Sequence, residues 1–283
     1  MNLLMVGAGK GSYTMRGHQL GAALGARVLS EPTADDFRWA DLCVLIKKPA
    51  IRLAPIVHRS HVPIIWDALD FWSQPLDNPC TEAAARQKLT NTLAVVRPAL
   101  TIGATKHMAF ACRGSYLPHH SWAYLTPAPP QPSVRVVAYE GNVSYLGKWR
   151  EALEQACKAR GWTFLLNPPD LRQADLLVAF RDGPWDGWMP RHWKSGVKLV
   201  NAIAAGRPML TQASSAMEEI SAPGTIVERV DALGPALDSW RDHARRQLAY
   251  EHCLTLAPQF TLTAIADRYR QILTEWEVTR VAV

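Results

Sequence analysis

Apolar and polar positions change period repeatedly along the first half of the chain. Short apolar runs (LLMVGA from Leu3, ADLCVLI from Ala40, VPIIWDAL from Val62, ALTIGA from Ala99) alternate with helical patterns, MRGHQLGAAL from Met15 and a polar stretch from Thr81 to Leu93. Apolar strands separated by helices and bounded by Gly, Pro and Asp predict a parallel sheet covered on both faces. The second half repeats the logic. VRVVAYEGN from Val134, WTFLLN from Trp162, ADLLVAF from Ala174, RPMLT from Arg207 and TIVERV from Thr225 read as strands, and WREALEQACKAR from Trp149 and KSGVKLVNAIAAG from Lys194 as helices. Both halves therefore read as Rossmann-type α/β units. The tail departs from the alternation, because two helical patterns, Pro235 to Leu256 and Thr261 to Trp276, follow without a strand between them. The last puts Leu262, Ile265, Ala266, Tyr269, Ile272, Leu273 and Trp276 on one stripe, a face built to pack back on the body.

The break between the halves is TPAPPQPS, residues 126–133, whose four prolines cannot continue a helix or a central strand. We expect one domain over residues 1–133 and a second, with the terminal helices, over 134–283. Charge sharpens the division: 13 Lys and Arg face 8 Asp and Glu up to Ser133, against 18 and 17 beyond it. Nearly all of the net +6 thus sits on the first half. Five scattered cysteines with no Cys-x-x-Cys pair point away from a disulfide framework or zinc site and toward a reducing, cytoplasmic setting. No apolar run reaches the roughly 18–20 residues of a membrane span. The start lacks the charged lead and long apolar core of a secretory signal and reads as a buried strand.

Three segments carry candidate chemistry. The loop Gly7-Ala-Gly-Lys-Gly11-Ser12 lies between a strand and a helix, where glycines let backbone amides approach an anion and Arg16 stands one turn further on. It matches neither the dinucleotide fingerprint nor the Walker loop, and a tight turn for close packing explains it equally well. In Ile64-Ile-Trp-Asp67-Ala-Leu-Asp70, Asp67 ends a strand and Asp70 follows three residues later. A carboxylate there is aimed at the crevice of an open sheet and can take a proton from an attacking hydroxyl, or it simply caps a helix. The third segment runs from Ala174 to Thr211: a strand ends at Phe180, Arg181 opens a tryptophan-rich loop, and Ser195-Gly196 starts a helix bearing Lys198. Amides at a helix start, a lysine one turn in and an arginine across the crevice make a diphosphate cradle. Beyond the next strand Ser214 and Ser215 offer hydroxyls, and Glu218 or Glu219 a carboxylate for a ribose diol.

Lys198-Leu-Val-Asn-Ala-Ile-Ala-Ala-Gly206-Arg-Pro208 is similar to the Lys-Leu-x-Glu-Ala-x-Ala-x-Gly-x-Pro pattern of the nucleotide-sugar domain of GT-B glycosyltransferases. Val136-Val-Ala-Tyr-Glu-Gly141-Asn142 resembles that domain's first strand and turn, and Ser12 to Arg16 with the following Leu-rich helix the family's first N-terminal helix. Ile65 to Trp72 resembles its Asp-x-His-Asp strand end, and Leu100 to Thr105 with Tyr116-Leu-Pro-His119 its approach to the linker. The resemblance implies two facing Rossmann domains and a nucleotide-sugar donor, a UDP-sugar first among them, in the C-terminal one. It also implies the acceptor mainly in the N-terminal one and no essential metal, in keeping with the lack of an Asp-x-Asp motif. The donor set it implies is Gly11, Ser12, Arg16, Gly141, Asn142, Arg181, Ser195, Gly196, Lys198, Ser214, Ser215, Glu218 and Glu219. Asp67 or Asp70 is the implied base if the reaction inverts. The sequence departs from the family at Asn201 and Trp193, where a Glu-x7-Glu motif would fall, and at Leu69, which replaces the histidine between the aspartates.

The charge split points to an acidic acceptor. A hydroxylated base in DNA, flipped out with Trp72, Trp122 or Arg113 filling the gap, stands beside a lipid-linked sugar and an anionic polysaccharide. The stretch 85–97 would be the amphipathic helix a lipid acceptor calls for, or a core-facing helix. Readings from other classes also stand open: a Rossmann oxidoreductase with Glu31 on the ribose, or a nucleotide or nucleic-acid binding protein without catalysis. His119-His120 reads as a polar turn near the linker rather than a metal site.

Overall fold

The computed structural model describes residues 1–9, 11, 13–47, 49–71 and 81–281, which form two separate parallel sheets. The first contains β1 (Leu3–Val6), β2 (Arg27–Leu29), β3 (Leu42–Ile46), β4 (Ile64–Leu69), β5 (Leu100–Gly103) and β6 (Ser115–Tyr116), in the order β2-β1-β3-β4-β5-β6. The second contains β7 (Val136–Tyr139), β8 (Thr163–Leu166), β9 (Leu176–Ala179), β10 (Met209–Thr211) and β11 (Gly224–Ile226), in the order β11-β10-β9-β7-β8. Strand order reverses once in each sheet, between β1 and β3 and between β7 and β9. Open α/β sheets take ligands at the carboxyl ends of the strands flanking such a reversal. The expected cut at Ser133 falls between β6 and β7.

Burial accounts for the apolar runs. Every position of β1, β3 and β4 is buried, since helices cover both faces. One face of the first sheet packs on the helices Pro49–Arg59 and Glu82–Val96 through Leu53, Val57, Ala85 and Leu89. The stretch 85–97 is thus a core-facing helix. The other face receives the last helix, Leu262–Val281, through Ile265, Ala266, Tyr269 and Leu273, the stripe read from the sequence. The pattern from Pro235 to Leu256 is two helices, Leu233–Ser239 and His243–Leu256, because Asp242 caps the second by accepting from the Ala244 amide at 2.9 Å.

Prolines remove amide donors from residues 126–133, and two buried arginines supply donors to the carbonyls left there. Arg207 donates to Ala128 O at 2.5 Å, and Arg246 to Gln131 O and Pro132 O at 3.0 Å each. The two places where the chain passes between the bodies also touch: the Ser121 amide donates to Phe260 O at 2.8 Å. Cys43, Cys112, Cys157 and Cys253 are buried free thiols, and Cys80 lies outside the described residues. No helix among the described residues is long and apolar enough to cross a membrane.

Candidate functional site

The carboxyl edge of the first sheet is conformationally unusual. Pairing between β4 and β5 slips between Asp67 and Leu69, and three non-glycine residues adopt positive φ: Lys47 (+57°), Leu69 (+61°) and Phe71 (+41°). Such residues cost about 1–3 kcal/mol each and persist where their surroundings over-determine them. Their effect is to bring Lys47, at the end of β3, onto Asp70, with Nζ 2.7 Å from Oδ1. Lys194 reaches the same carboxylate from the second body at 2.8 Å, and Ser195 Oγ lies 3.5 Å away. Burial alone would raise the Asp70 carboxyl, but the two ammonium groups outweigh it and hold the group ionised, far below the usual carboxylate range.

Asp67 lies behind it, fully buried. Burial raises its carboxyl, opposed chiefly by the Arg16 guanidinium with Nε 3.7 Å away. Arg16, expected to touch the donor, is itself fully buried and donates to Leu117 O inside the first body. That placement corrects the expectation, because the guanidinium has no face toward the crevice.

A cleft of about 270 Å³ lies where the two carboxyl edges meet. Gly11, Met15 and His119 form one wall; Trp122, Glu140, Gly141, Lys194, Ser195, Val197, Lys198 and Asn201 form the other. An adjoining recess of about 40 Å³ adds Arg181, Gly196 and Ser214. Lys198 stacks its ammonium 3.8 Å above the Tyr139 ring, and neither it nor Arg181 pairs with a carboxylate among the described residues. Burial, then the charge of Arg181, pushes the Lys198 amine well below its ordinary range, and burial lowers Arg181 as well. Lys194 is pushed down to about 8 by burial, against the pull of Asp70. Three cations, Arg181, Lys194 and Lys198, thus converge on one cleft, with the carboxylate of Asp70 on Lys194 and that of Glu140 in the wall.

The glycines divide by role. A Cβ on Gly7 would fall 2.3 Å from the Tyr13 ring, and one on Gly196 2.5 Å from Ile220, so both serve packing. Gly11 (φ +63°) has open space beside it and lines the cleft. Gly141 (φ +126°) lets Lys198 approach, since a Cβ there would meet Nζ at 3.0 Å. Its amide already donates to Asn167 Oδ1 at 2.6 Å. Ser12 and Trp72 lie outside the described residues.

Other expected donor residues, Ser214 of the recess among them, have structural partners of their own. Asn142 caps a turn through the Ser144 amide at 3.0 Å, and Ser214 caps the helix Ser215–Ile220 through the Met217 amide at 3.3 Å. Ser215 is buried against His192. Glu219 accepts from the amides of Lys106 and His107 at 2.7 and 3.2 Å, bracing one body on the other, and Glu218 is exposed. Neither carboxylate lines the cleft, which corrects their assignment to a ribose diol. The pair read as a polar turn is buried instead. His119 is 3% exposed, and His120 contacts Gln19 Oε1 at 2.8 Å. Burial holds His119 well below its ordinary range and His120 at about 4. Among the described residues no group of three or more His, Cys, Asp or Glu is arranged to hold a metal.

Sequence reasoning passed over Lys47, Lys194 and Glu140 as site residues, and read His119, which lines the cleft, as part of a polar turn. Lys47 and Glu140 carry the same signal that singled out Asp67, a charged residue at the carboxyl end of a parallel strand. Glu140 accepts from Trp122 Nε1 at 2.8 Å and from Asn201 Nδ2 at 3.1 and 3.0 Å. The Trp122 ring is thereby held in the cleft wall, while Arg113 is exposed on the surface.

No protein-family model matches the sequence, nor does any curated protein. Solved structures do match. HepE of Anabaena, crystallised with UDP and glucose, superposes with a TM-score of 0.71 at 12% identity, over 97% of this chain and 99% of that one. The chain has the GT-B fold. A GT-B likeness extends to AviGT4, a glycosyltransferase involved in avilamycin A biosynthesis, with a TM-score of 0.56 and 12% identity over 98% of both chains. It extends also to α,α-trehalose 6-phosphate synthase of Burkholderia multivorans, with a TM-score of 0.60 and 11% identity over 86% of this chain and 73% of that one. In GT-B terms, the cleft separates two Rossmann-like units, with the cations concentrated on the second.

Proposed function

We propose that the protein is a glycosyltransferase that moves a sugar from a nucleotide-sugar donor, a UDP-sugar foremost, to a hydroxyl of an acidic acceptor held on the N-terminal side. The observation that carries the reading is the surplus of positive charge at the reversal point of the second sheet, where Arg181 and Lys198 stand without carboxylate partners among the described residues. A nucleoside diphosphate supplies the missing negative charge. As the bond from the sugar to the diphosphate breaks, charge grows on the leaving oxygen, and Arg181, Lys194 and Lys198 neutralise it. The complexes of HepE with UDP and glucose, and with UDP-glucose, support a donor of this kind.

Asp67 or Asp70 was the base expected of an inverting transfer. Two ammonium groups on Asp70 argue for a positioning role, holding Lys194 against the diphosphate. The burial of Asp67 beneath it argues for a structural one. The positive balance of the first half supports an anionic acceptor, and duplex DNA bearing a hydroxymethylated base is the acceptor of that class we place first. The buried free thiols fit a cytoplasmic setting.

Calorimetric titration with UDP, GDP, ADP, CMP, NAD and inorganic pyrophosphate tests the donor site. One nucleoside diphosphate and pyrophosphate should bind, and Lys198→Met should weaken both by about 10- to 100-fold, while Lys158→Ala, on an exposed helix position, leaves them unchanged. A response to NAD alone refutes the reading. Release of the nucleoside diphosphate from its sugar conjugate, followed with hydroxymethylated duplex DNA, an anionic polysaccharide and a lipid-linked sugar at two salt concentrations, then identifies the acceptor.

A further inference from the structure

Glu140 is out of place in a cleft that gathers cations for an anion. It is the only acidic residue on the cleft wall among the described residues, and its carboxylate is half-buried there. A negative charge at that point repels a diphosphate, so its value must lie with another part of the ligand. Its partners are telling: both oxygens are held by neutral donors, the Trp122 indole N–H at 2.8 Å and the Asn201 amide at 3.1 and 3.0 Å, and among the described residues no cation lies within 4 Å. Asn201, 1% exposed, is itself oriented, because its Oδ1 accepts from the Trp122 main-chain amide at 3.1 Å and so turns Nδ2 toward Glu140. A carboxylate offers about four lone-pair sites. Neutral donors fix its plane, and because Asn201 Nδ2 is nearly equidistant from the two oxygens and shares one N–H between them, about one acceptor site is left on each. Two adjacent hydroxyls, each donating to one oxygen, complete such a group.

Resting on the nucleotide-sugar reading above, we propose that Glu140, held by Trp122 and Asn201, binds a vicinal diol of the donor. Two parts of a nucleotide-sugar carry this chemistry, the ribose and the transferred sugar, and one set of titrations separates them. Wild-type protein, Glu140→Gln and Trp122→Phe are titrated with UDP, GDP and ADP, with their 2′-deoxy counterparts, with UDP-glucose, GDP-mannose and ADP-glucose, and with pyrophosphate. Glu140→Gln should weaken the diol-bearing ligand by about 10- to 100-fold, the loss of hydrogen bonds to a charged acceptor, and leave pyrophosphate untouched. Trp122→Phe, which removes only a positioning bond, should cost several-fold and likewise spare pyrophosphate.

If the ribose is read, the 2′-deoxy nucleotide binds wild type as weakly as the full nucleotide binds Glu140→Gln. If the sugar is read, the free diphosphate is indifferent to Glu140→Gln and only the sugar nucleotide weakens. Unchanged affinities throughout overturn the assignment, as does an equal loss for pyrophosphate, which would mean that the substitution deforms the cradle. A protein that binds pyrophosphate through Lys198 yet ignores Glu140→Gln overturns this proposal and leaves the proposed function standing. One that binds none of these ligands overturns both.

Discussion

Replacing Arg207 by methionine keeps the length of the side chain and removes every donor. The residue is 2% exposed and has no carboxylate partner among the described residues; its guanidinium feeds Ala128 O and Ala174 O at 2.5 Å and Arg172 O at 2.9 Å. Three orphaned carbonyls cost about 1–3 kcal/mol each, and relief from burying an unpaired charge returns several kcal/mol. We expect a net loss of about 3 kcal/mol. Lysine is the sharper probe. It keeps the buried charge but cannot serve three carbonyls in the fork geometry of a guanidinium, so Arg207→Lys should destabilise at least as much as Arg207→Met. Urea unfolding of the three proteins measures both values, and limited proteolysis should show cleavage within residues 126–133 appearing only in the variants. The reasoning is refuted if Arg207→Met unfolds within about 0.5 kcal/mol of wild type or if Arg207→Lys is neutral.

Three further outcomes are expected. Free imidazole protonates near 6.5 but His120 in the native protein only at about 4, so the unfolded chain binds the proton first and acid destabilises the fold from about pH 6.5 downward. Between pH 7.5 and 5 this amounts to about 2 kcal/mol; His120→Gln should lose that much less stability over the same interval, and parallel pH profiles would contradict it. Because Lys194 sits at about 8, binding of a diphosphate should draw a proton onto it. Calorimetry in buffers of different ionisation heat should show uptake near pH 8.5 and none near pH 6.5, and no uptake at the higher pH would remove Lys194 from the cradle. Asp70→Asn leaves Lys47 and Lys194 without their common counter-charge; allowing for their partial exposure, it should cost about 2–3 kcal/mol and enlarge the rise in melting temperature that pyrophosphate brings. A wild-type melting temperature and an equal rise would contradict it.

What was legible in the sequence was local. β1, β3 and β4 are apolar throughout because helices cover both faces of the sheet, and the stripe on the last helix is buried as one face. The segment from Arg181 to Lys198 could be read because a strand end, a loop and a helix start follow in order. What escaped were meetings between distant residues. Asp70 and Lys194 are 124 positions apart and Glu140 and Asn201 61, and no period or motif encodes such a pairing. Glu219 was misassigned because its partners, the amides of Lys106 and His107, belong to the other half. Arg16 follows from helix geometry: residues Tyr13–Gln19 are π-wound, so a reading at 3.6 residues per turn misjudges which way its side chain points. Glycine signals were ambiguous for a physical reason, since Gly7 makes room for Tyr13 and Gly11 for open cleft.

The last helix, docked on the first sheet, has a consequence for how the two bodies are connected. Strand β1 and the last helix belong to the same body, so the chain enters and leaves the second body at places that lie side by side, where Ser121 donates to Phe260 O. Two adjacent passages tie the bodies together along one seam, held by that hydrogen bond. A single cut at either passage would leave the cation-bearing body attached through the other. Because its two ends are adjacent, the same body can be lifted out and exchanged as a cassette, with one short splice restoring the continuity of the first.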